Sequence, residues 1–430
     1  MNTTQQIIEK SNRYIAGGVV SLNRKTDLPI VFVKAQGSRL KDAEGKEYLD
    51  YHAAFAPHLL GHNHPKINAA VAHAMDECWS LVGSGTTPWE ARLAELLCDS
   101  VPNLDLVQIF NSGSEATANA IRLARAFTGK DHVVMPIGGY NGWHDEVGRA
   151  VMPINVGSRV SAGEYPFIPI SAGIPESTKR RLHIVNFNDL ESVEAMFKKY
   201  PVACLITEPV LQNIGVVPPA PGYLEGLRAL CDVHGVVLIF DEVKTGFRCA
   251  LSGYQSICGV KPDLSVFGKA VANGWPLALI GGKREIMELF AETDLRKRVL
   301  VAGTYNGHPA SVAAAIATLE ILRTEGFYQD LESRSARLHR GLTDIFGNRA
   351  VISRNGSAFC AYFMNHIPCD WHDVLENHDF DFDKRYRLAL IKCGIYHFPL
   401  PCKQGSVSAA HTDSDIDRTL ELTREVMATL

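Results

Sequence analysis

The chain has 430 residues, of which 46% are hydrophobic and 21% charged, and a formal net charge of −4. That length suits one large domain and a smaller one rather than a single small core, and so weak a charge supplies no field that would draw nucleic acid or an anionic membrane. The ten cysteines contain no CxxC pair, which argues against a zinc site or a disulfide framework. The opening stretch MNTTQQIIEKSNRY does not read as an apolar h-region, so no leader is expected, and no uninterrupted apolar run approaches about 20 residues. A reduced, cytoplasmic globular enzyme is expected.

In chain order, residues 30–50 read as a hairpin, with Asp42-Ala-Glu-Gly45 as its turn. Leu106–Phe110 reads as a strand, and Ala116–Phe127 has apolar residues at helical spacing. The runs His132–Met135 and Val202–Thr207 are strand-like. Pro153–Ser177 has no clear period, and a loop of that length is usually a lid or mobile. Gly222–His234 reads as a helix stopped by Gly235, and Val236–Phe240 is a fully apolar β-rich run. Leu264–Phe267 and Leu277–Ile280 are further short strands. Helical patterns cover Ala310–Thr324 and Tyr328–Phe346, and a last helix starts at Ser414. Strands alternating with helices predict an α/β fold with a mostly parallel sheet covered on both faces. The expected division is 56–310 as a large domain, with 1–55 and 311–430 forming a small one from both chain ends.

Ligands on such sheets bind at the carboxyl ends of strands, and three sequences fall there. Asn111-Ser-Gly-Ser-Glu115 joins a strand to a helix, where Ser112, Gly113 and Ser114 can turn N–H groups and hydroxyls toward an anion. The same residues also suit a plain helix cap, with Ser114 in that place. Asp241 ends the most apolar run in the chain, where a lone carboxylate needs a cationic partner. A protonated pyridine nitrogen would serve, and so would an ordinary salt bridge. Lys269, in Phe267-Gly-Lys-Ala270, follows another strand. Desolvation lowers a lysine pKa and leaves a neutral amine able to attack an aldehyde, although most lysines are solvated. Together the three supply an anchor for one phosphate, a partner for one ring nitrogen and a nucleophile for one aldehyde. Those are the parts of pyridoxal phosphate (PLP).

With these residues in view, the chain resembles the class III, or ω-type, PLP aminotransferases of fold type I. The glutamate-semialdehyde aminomutase branch is especially similar. The resemblance runs from about residue 14 to the C-terminus. It is carried by Gly17-Gly-Val-Val-Ser21, NSGSEA (111–116), EPVLQN (208–213), DEVKTGFR (241–248), FGKAVANGWP (267–276), AGTYNGHP (302–309) and SAAHTDSDIDRTLE (408–421). It implies a large domain with a seven-stranded-type sheet plus a small α+β domain. It also implies that Lys269 holds PLP as a Schiff base and that Asp241 binds the ring nitrogen. Val243 and Tyr140 would pack on the two ring faces, and Asn213 would contact the ring oxygen. The Ser112–Ser114 loop would hold the phosphate, and Thr304 would reach the phosphate of the neighbouring subunit in a homodimer with shared active sites. Arg24 would bind a substrate carboxylate. An amine and a keto acid would then exchange an amino group in two half-reactions. The aminomutase reaction, or an amino-acid racemase on the same scaffold, is the alternative.

Three departures from the family's pattern bear on substrate. Tyr140-Asn-Gly142 stands where Tyr-His-Gly is usual, and His308 precedes Pro309 where Asn is usual. Cys402-Lys-Gln-Gly405 appears in place of a stretch with an acidic residue. Lys403 near the substrate would favour an anion and transamination over an internal amine shift; pointing to solvent, it would do neither. His58, His62 and His64 read as a family-like turn rather than a metal site. Asp379-Phe-Asp-Phe-Asp383 reads as a solvated loop, lacking the glycine and closing glutamate of a calcium loop.

Overall fold

The computed structural model describes residues 3–78, 81–160 and 165–430. Near the N-terminus β1 (Phe32–Gln36), β2 (Arg39–Asp42) and β3 (Glu47–Asp50) form an antiparallel meander. The expected single hairpin is thus three strands. Gly37, at φ +56°, turns the chain between the first two, and Asp42–Gly45 turns it between the second and third.

The large sheet contains β4 (Leu106–Phe110), β5 (His132–Pro136), β6 (Leu182–Val185), β7 (Val202–Thr207), β8 (Val237–Glu242), β9 (Leu264–Phe267) and β10 (Ala278–Gly282). Their order is β4-β10-β9-β8-β7-β5-β6. Neighbours from β9 across to β6 are parallel, whereas β10 runs antiparallel to both β4 and β9. The expected α/β fold with a mostly parallel seven-stranded sheet is what the chain adopts. Every residue of β7, β8 and β9 is buried, which is why these segments read as continuous apolar runs rather than alternating ones.

Toward the C-terminus, β11 (Val351–Asn355), β12 (Ala358–Tyr362) and β14 (Gly405–Ser406) make a three-stranded sheet. Between them in sequence, β13 (Ile395–Tyr396) pairs parallel with β3, so the two ends of the chain share one sheet. The helix Pro309–Leu322 is buried on nearly all sides. Its Val312 and Leu319 join Val71, Leu93, Phe267 and Leu420 in one apolar core. All ten cysteines are free, and no helix among the described residues is long and apolar enough to cross a membrane.

Residues 161–164 of the expected 153–177 loop lie outside the described residues. Its described parts are tied down on several sides: Trp371 Nε1 donates to the Pro153 carbonyl (2.9 Å), Arg159 pairs with Asp370, and Tyr165 donates to Asn186 (2.5 Å).

Candidate active site

Because β10 is antiparallel to both β4 and β9, those two strands run the same way, and β8 runs with them. Their carboxyl ends therefore open on one edge of the sheet. A cavity of about 380 Å³ lies there, lined by Ser112, Gly113, Ser114, Tyr140, Asp241, Val243 and Lys269 among others. Seven of the eleven residues expected at the site thus share one cavity.

The sequence Asn111–Glu115 serves as both cap and cradle. Ser112, not Ser114, is the N-cap of the helix Gly113–Thr128; its Oγ accepts from Glu115 N–H, and Glu115 accepts in turn from Ser112 N–H at 2.9 Å. The correction follows from geometry, since Ser112 alone has the extended backbone an N-cap needs. Ser114 Oγ, in the first turn, accepts from Trp143 N–H (3.3 Å). The N–H groups of Gly113 and Ser114 then begin a 16-residue helix, with its positive dipole end facing the cavity. A Cβ at Gly113 would sit 3.2 Å from Val243 Cγ2, so glycine lets Val243 close on the helix start.

Asp241 is 3% exposed. One carboxylate oxygen accepts from Val243 N–H (3.0 Å) and the other from Asn141 Nδ2 (2.8 Å). Burial raises its pKa, which these hydrogen bonds and Lys269 oppose. No cation forms an ion pair with it among the described residues. Lys269 has φ +47°, in the left-handed region that costs a non-glycine residue about 1–3 kcal/mol and concentrates at functional sites. Burial lowers its pKa, against the pull of Asp241 and Glu208. A buried acid without an ion-pair partner, a desolvated amine and a helix start on one cavity fit PLP group by group.

The other four expected residues do not line this cavity, and one of them, Thr304, was expected at the phosphate of a neighbouring subunit. Asn213 donates through Nδ2 to the carbonyls of Gly138 and Val151, both at 3.2 Å, and does not line the cavity. Arg24 and Thr304 are exposed and outside the lining. Lys403 is also outside it, yet does not point to solvent: Nζ donates to the Asn213 carbonyl (3.2 Å), and burial lowers its pKa to about 8.

The other polar features resolve into structure. His62 Nε2 meets Asp50 (2.7 Å), and His58 Nδ1 meets the Asn273 carbonyl (3.1 Å). Asp379 is not in a solvated loop: it caps the helix Phe380–Lys392. Asp383 is fully buried against Arg387. His378, Asp383 and Cys402 cluster closely enough for a metal, but Arg387 Nε holds Asp383 Oδ1 at 2.6 Å and Cys402 N–H holds Oδ2.

Asn141, Glu208 and Lys244 were missed as site residues, although all three line the cavity. Asn141 carried a signal, standing where the family has histidine beside the tyrosine. Glu208, buried with its pKa raised by desolvation, accepts from Tyr140 N–H (3.0 Å) and Gln212 N–H (2.9 Å).

A fold-type-I sheet with this site defines a cofactor-dependent α/β enzyme. A family model described as aminotransferase class-III matches residues 20–362, and the chain belongs to that family. It is 37% identical to a glutamate-1-semialdehyde 2,1-aminomutase of Nitrosospira multiformis, with 100% of both chains covered. The fold superposes with a TM-score of 0.91 on an omega-transaminase from Sphaerobacter thermophilus, at 26% identity over 99% of this chain and 97% of that one. It superposes at 0.88 on a glutamate-1-semialdehyde-aminomutase from Pseudomonas aeruginosa in complex with PMP, at 25% identity over 99% and 94%.

Proposed function

We propose that this chain binds PLP through Lys269 and transfers an amino group between an amine or amino acid and a keto acid or other carbonyl in two half-reactions. The observation that carries the reading is the convergence of Lys269, Asp241 and the Gly113–Ser114 helix start on one cavity. When bound, PLP supplies an aldehyde that captures an amine and a ring that takes up the electron pair released at the neighbouring carbon.

The chain's residues supply the rest. Gly113 and Ser114 N–H groups, with the Ser112 and Ser114 hydroxyls, bind the phosphate. Asp241, fixed by Asn141 and Val243, keeps a proton on the ring nitrogen. Tyr140 and Val243 bound the two ring faces. Lys269 Nζ, whose pKa burial lowers, takes the proton from the substrate carbon beside the amine and delivers it again. Thr304, exposed here, would complete the phosphate site of a second copy in a homodimer, and Arg24 would receive a substrate carboxylate.

The aminomutase reaction is the second reading, favoured by 37% identity over the full length to a protein of that name. One experiment separates the two. Holoenzyme is mixed with single amines and no acceptor while the cofactor absorbance is followed. Transamination predicts stoichiometric conversion to the amine form of the cofactor, then arrest until a keto acid is added. Sustained turnover of glutamate semialdehyde without an acceptor would select the mutase.

A further inference from the structure

Four consecutive residues, Ala53, Ala54, Phe55 and Ala56, have φ of +47°, +53°, +67° and +83°. None is glycine. A left-handed run brings each Cβ too close to the following carbonyl oxygen, so such runs are strongly disfavoured. Strain of this kind persists where the surroundings over-determine it, and it concentrates at functional sites. The turn leads directly into Pro57, which lines the cavity together with Asp241 and Lys269.

The start and middle of the turn have local holds. Asp50 Oδ1 accepts from the N–H groups of His52 (2.9 Å) and Ala53 (3.0 Å). The Phe55 ring meets His52 edge-on at 4.4 Å and lies 5.0 Å from the Phe398 ring. The end of the turn is held from far along the chain, where Arg248 Nη2 donates to the Ala56 carbonyl. Nη1 of the same guanidinium donates to Ser357 Oγ at 2.8 Å. Arg248 is 1% exposed and forms no ion pair among the described residues. Burial lowers its pKa to about 10. A buried cation without an anion is strongly unfavourable, and an apolar side chain would fill the space at less cost. What the guanidinium adds is a rigid fork of donors, set here between the strained carbonyl and Ser357.

We propose that Arg248 is a positioning residue, which clamps the Ala56 carbonyl, keeps the left-handed turn 53–56 closed and so sets Pro57 as a wall of the substrate cavity. The kinetic part of this assignment rests on the amino-transfer reading. An arginine that merely packs the interior predicts lower stability and no change in substrate binding.

Arg248→Lys keeps the charge and loses the fork. In the holoenzyme it should raise KM for a converted amine at least tenfold, change kcat less than threefold and leave the cofactor absorbance unchanged. Hydrogen exchange of residues 52–56 should quicken at least tenfold, while exchange in the helix Pro309–Leu322 stays as in the parent. Adding Ala56→Gly, which relieves the strain at φ +83°, should lower the raised KM at least threefold. If Arg248→Lys does not fold, Ser357→Ala removes the acceptor of Nη1 and leaves the turn's own residues intact; KM and exchange should then each rise at least threefold. An unchanged KM, an unchanged exchange rate, or a raised KM that Ala56→Gly does not lower would overturn the proposal. An enzyme that converts no amine would sink the amino-transfer reading instead, and the exchange measurement would still decide the clamp.

Discussion

Asn141 donates its side-chain amide to Asp241 Oδ2 across 2.8 Å, and both side chains are buried. Val243 N–H holds the other carboxylate oxygen, so the acid is fixed from two sides. An amide donor at this position does not titrate and keeps its hydrogen at every working pH. The Asn141 oxygen has no partner of its own, so the residue's visible contribution is this one bond.

Asn141→Ala should therefore leave Asp241 buried with one fewer donor. Hydrogen bonds to charged groups contribute about 1.5–3 kcal/mol, so kcat should fall on the order of 10–100-fold. The pH midpoint of the cofactor absorbance should move as well. A variant with unchanged kcat and midpoint would show that Asn141 does not position the acid.

Gly274 has φ +100°, and a Cβ placed there would come within 2.3 Å of His58 Cε1. His58 cannot yield freely, because its Nδ1 is bonded to the carbonyl of neighbouring Asn273. Gly274→Ala should destabilise the protein by about 1–3 kcal/mol through backbone strain alone, and displacement of His58 adds to that. Denaturant unfolding measures the loss. An alanine variant as stable as the parent would mean that this turn has room the structure does not show.

Asp383 accepts from Arg387, Cys402 N–H and His378 in the fully buried interior of the C-terminal segment. Burial pushes its pKa up, but Arg387 and the hydrogen bonds more than offset this and hold it below the usual value. A depressed folded-state pKa gives stability that is present above the unfolded pKa and lost as pH falls through the folded one. Asp383→Asn leaves Arg387 buried without its anion and should cost about 3–5 kcal/mol near neutrality. Unfolding free energies at several pH values check this. The gap between parent and variant should stay flat above about pH 4 and narrow only in stronger acid. A gap that widens in acid would contradict the assignment.

Much of the fold was legible because long apolar runs and helical periods are local properties. Leu106–Phe110, Val202–Thr207 and Leu264–Phe267 are strands at the expected bounds, and Asp241 and Lys269 stand where strand ends put them. The direction of β10 was not legible, since a buried antiparallel strand inside a parallel sheet has the same apolar composition as its neighbours. Asn141 and Lys244 were hidden for a different reason. Their hydrogen-bond partners lie 100 and 32 residues away, at Asp241 and Gln212, which no local pattern brings together. Asn213 matched a motif and still turned to the Gly138 and Val151 carbonyls. A motif fixes the course of the backbone more firmly than the partner of each side chain.

Three lysines lie in or beside the site, and only Lys269 is assigned to the cofactor. Borohydride reduction of the holoenzyme followed by peptide mass mapping measures that assignment directly. The account predicts one pyridoxyl-phosphate adduct, on Lys269, and its complete loss in Lys269→Ala. An adduct on Lys244 or Lys403 in the parent protein, or full turnover by Lys269→Ala, would contradict it.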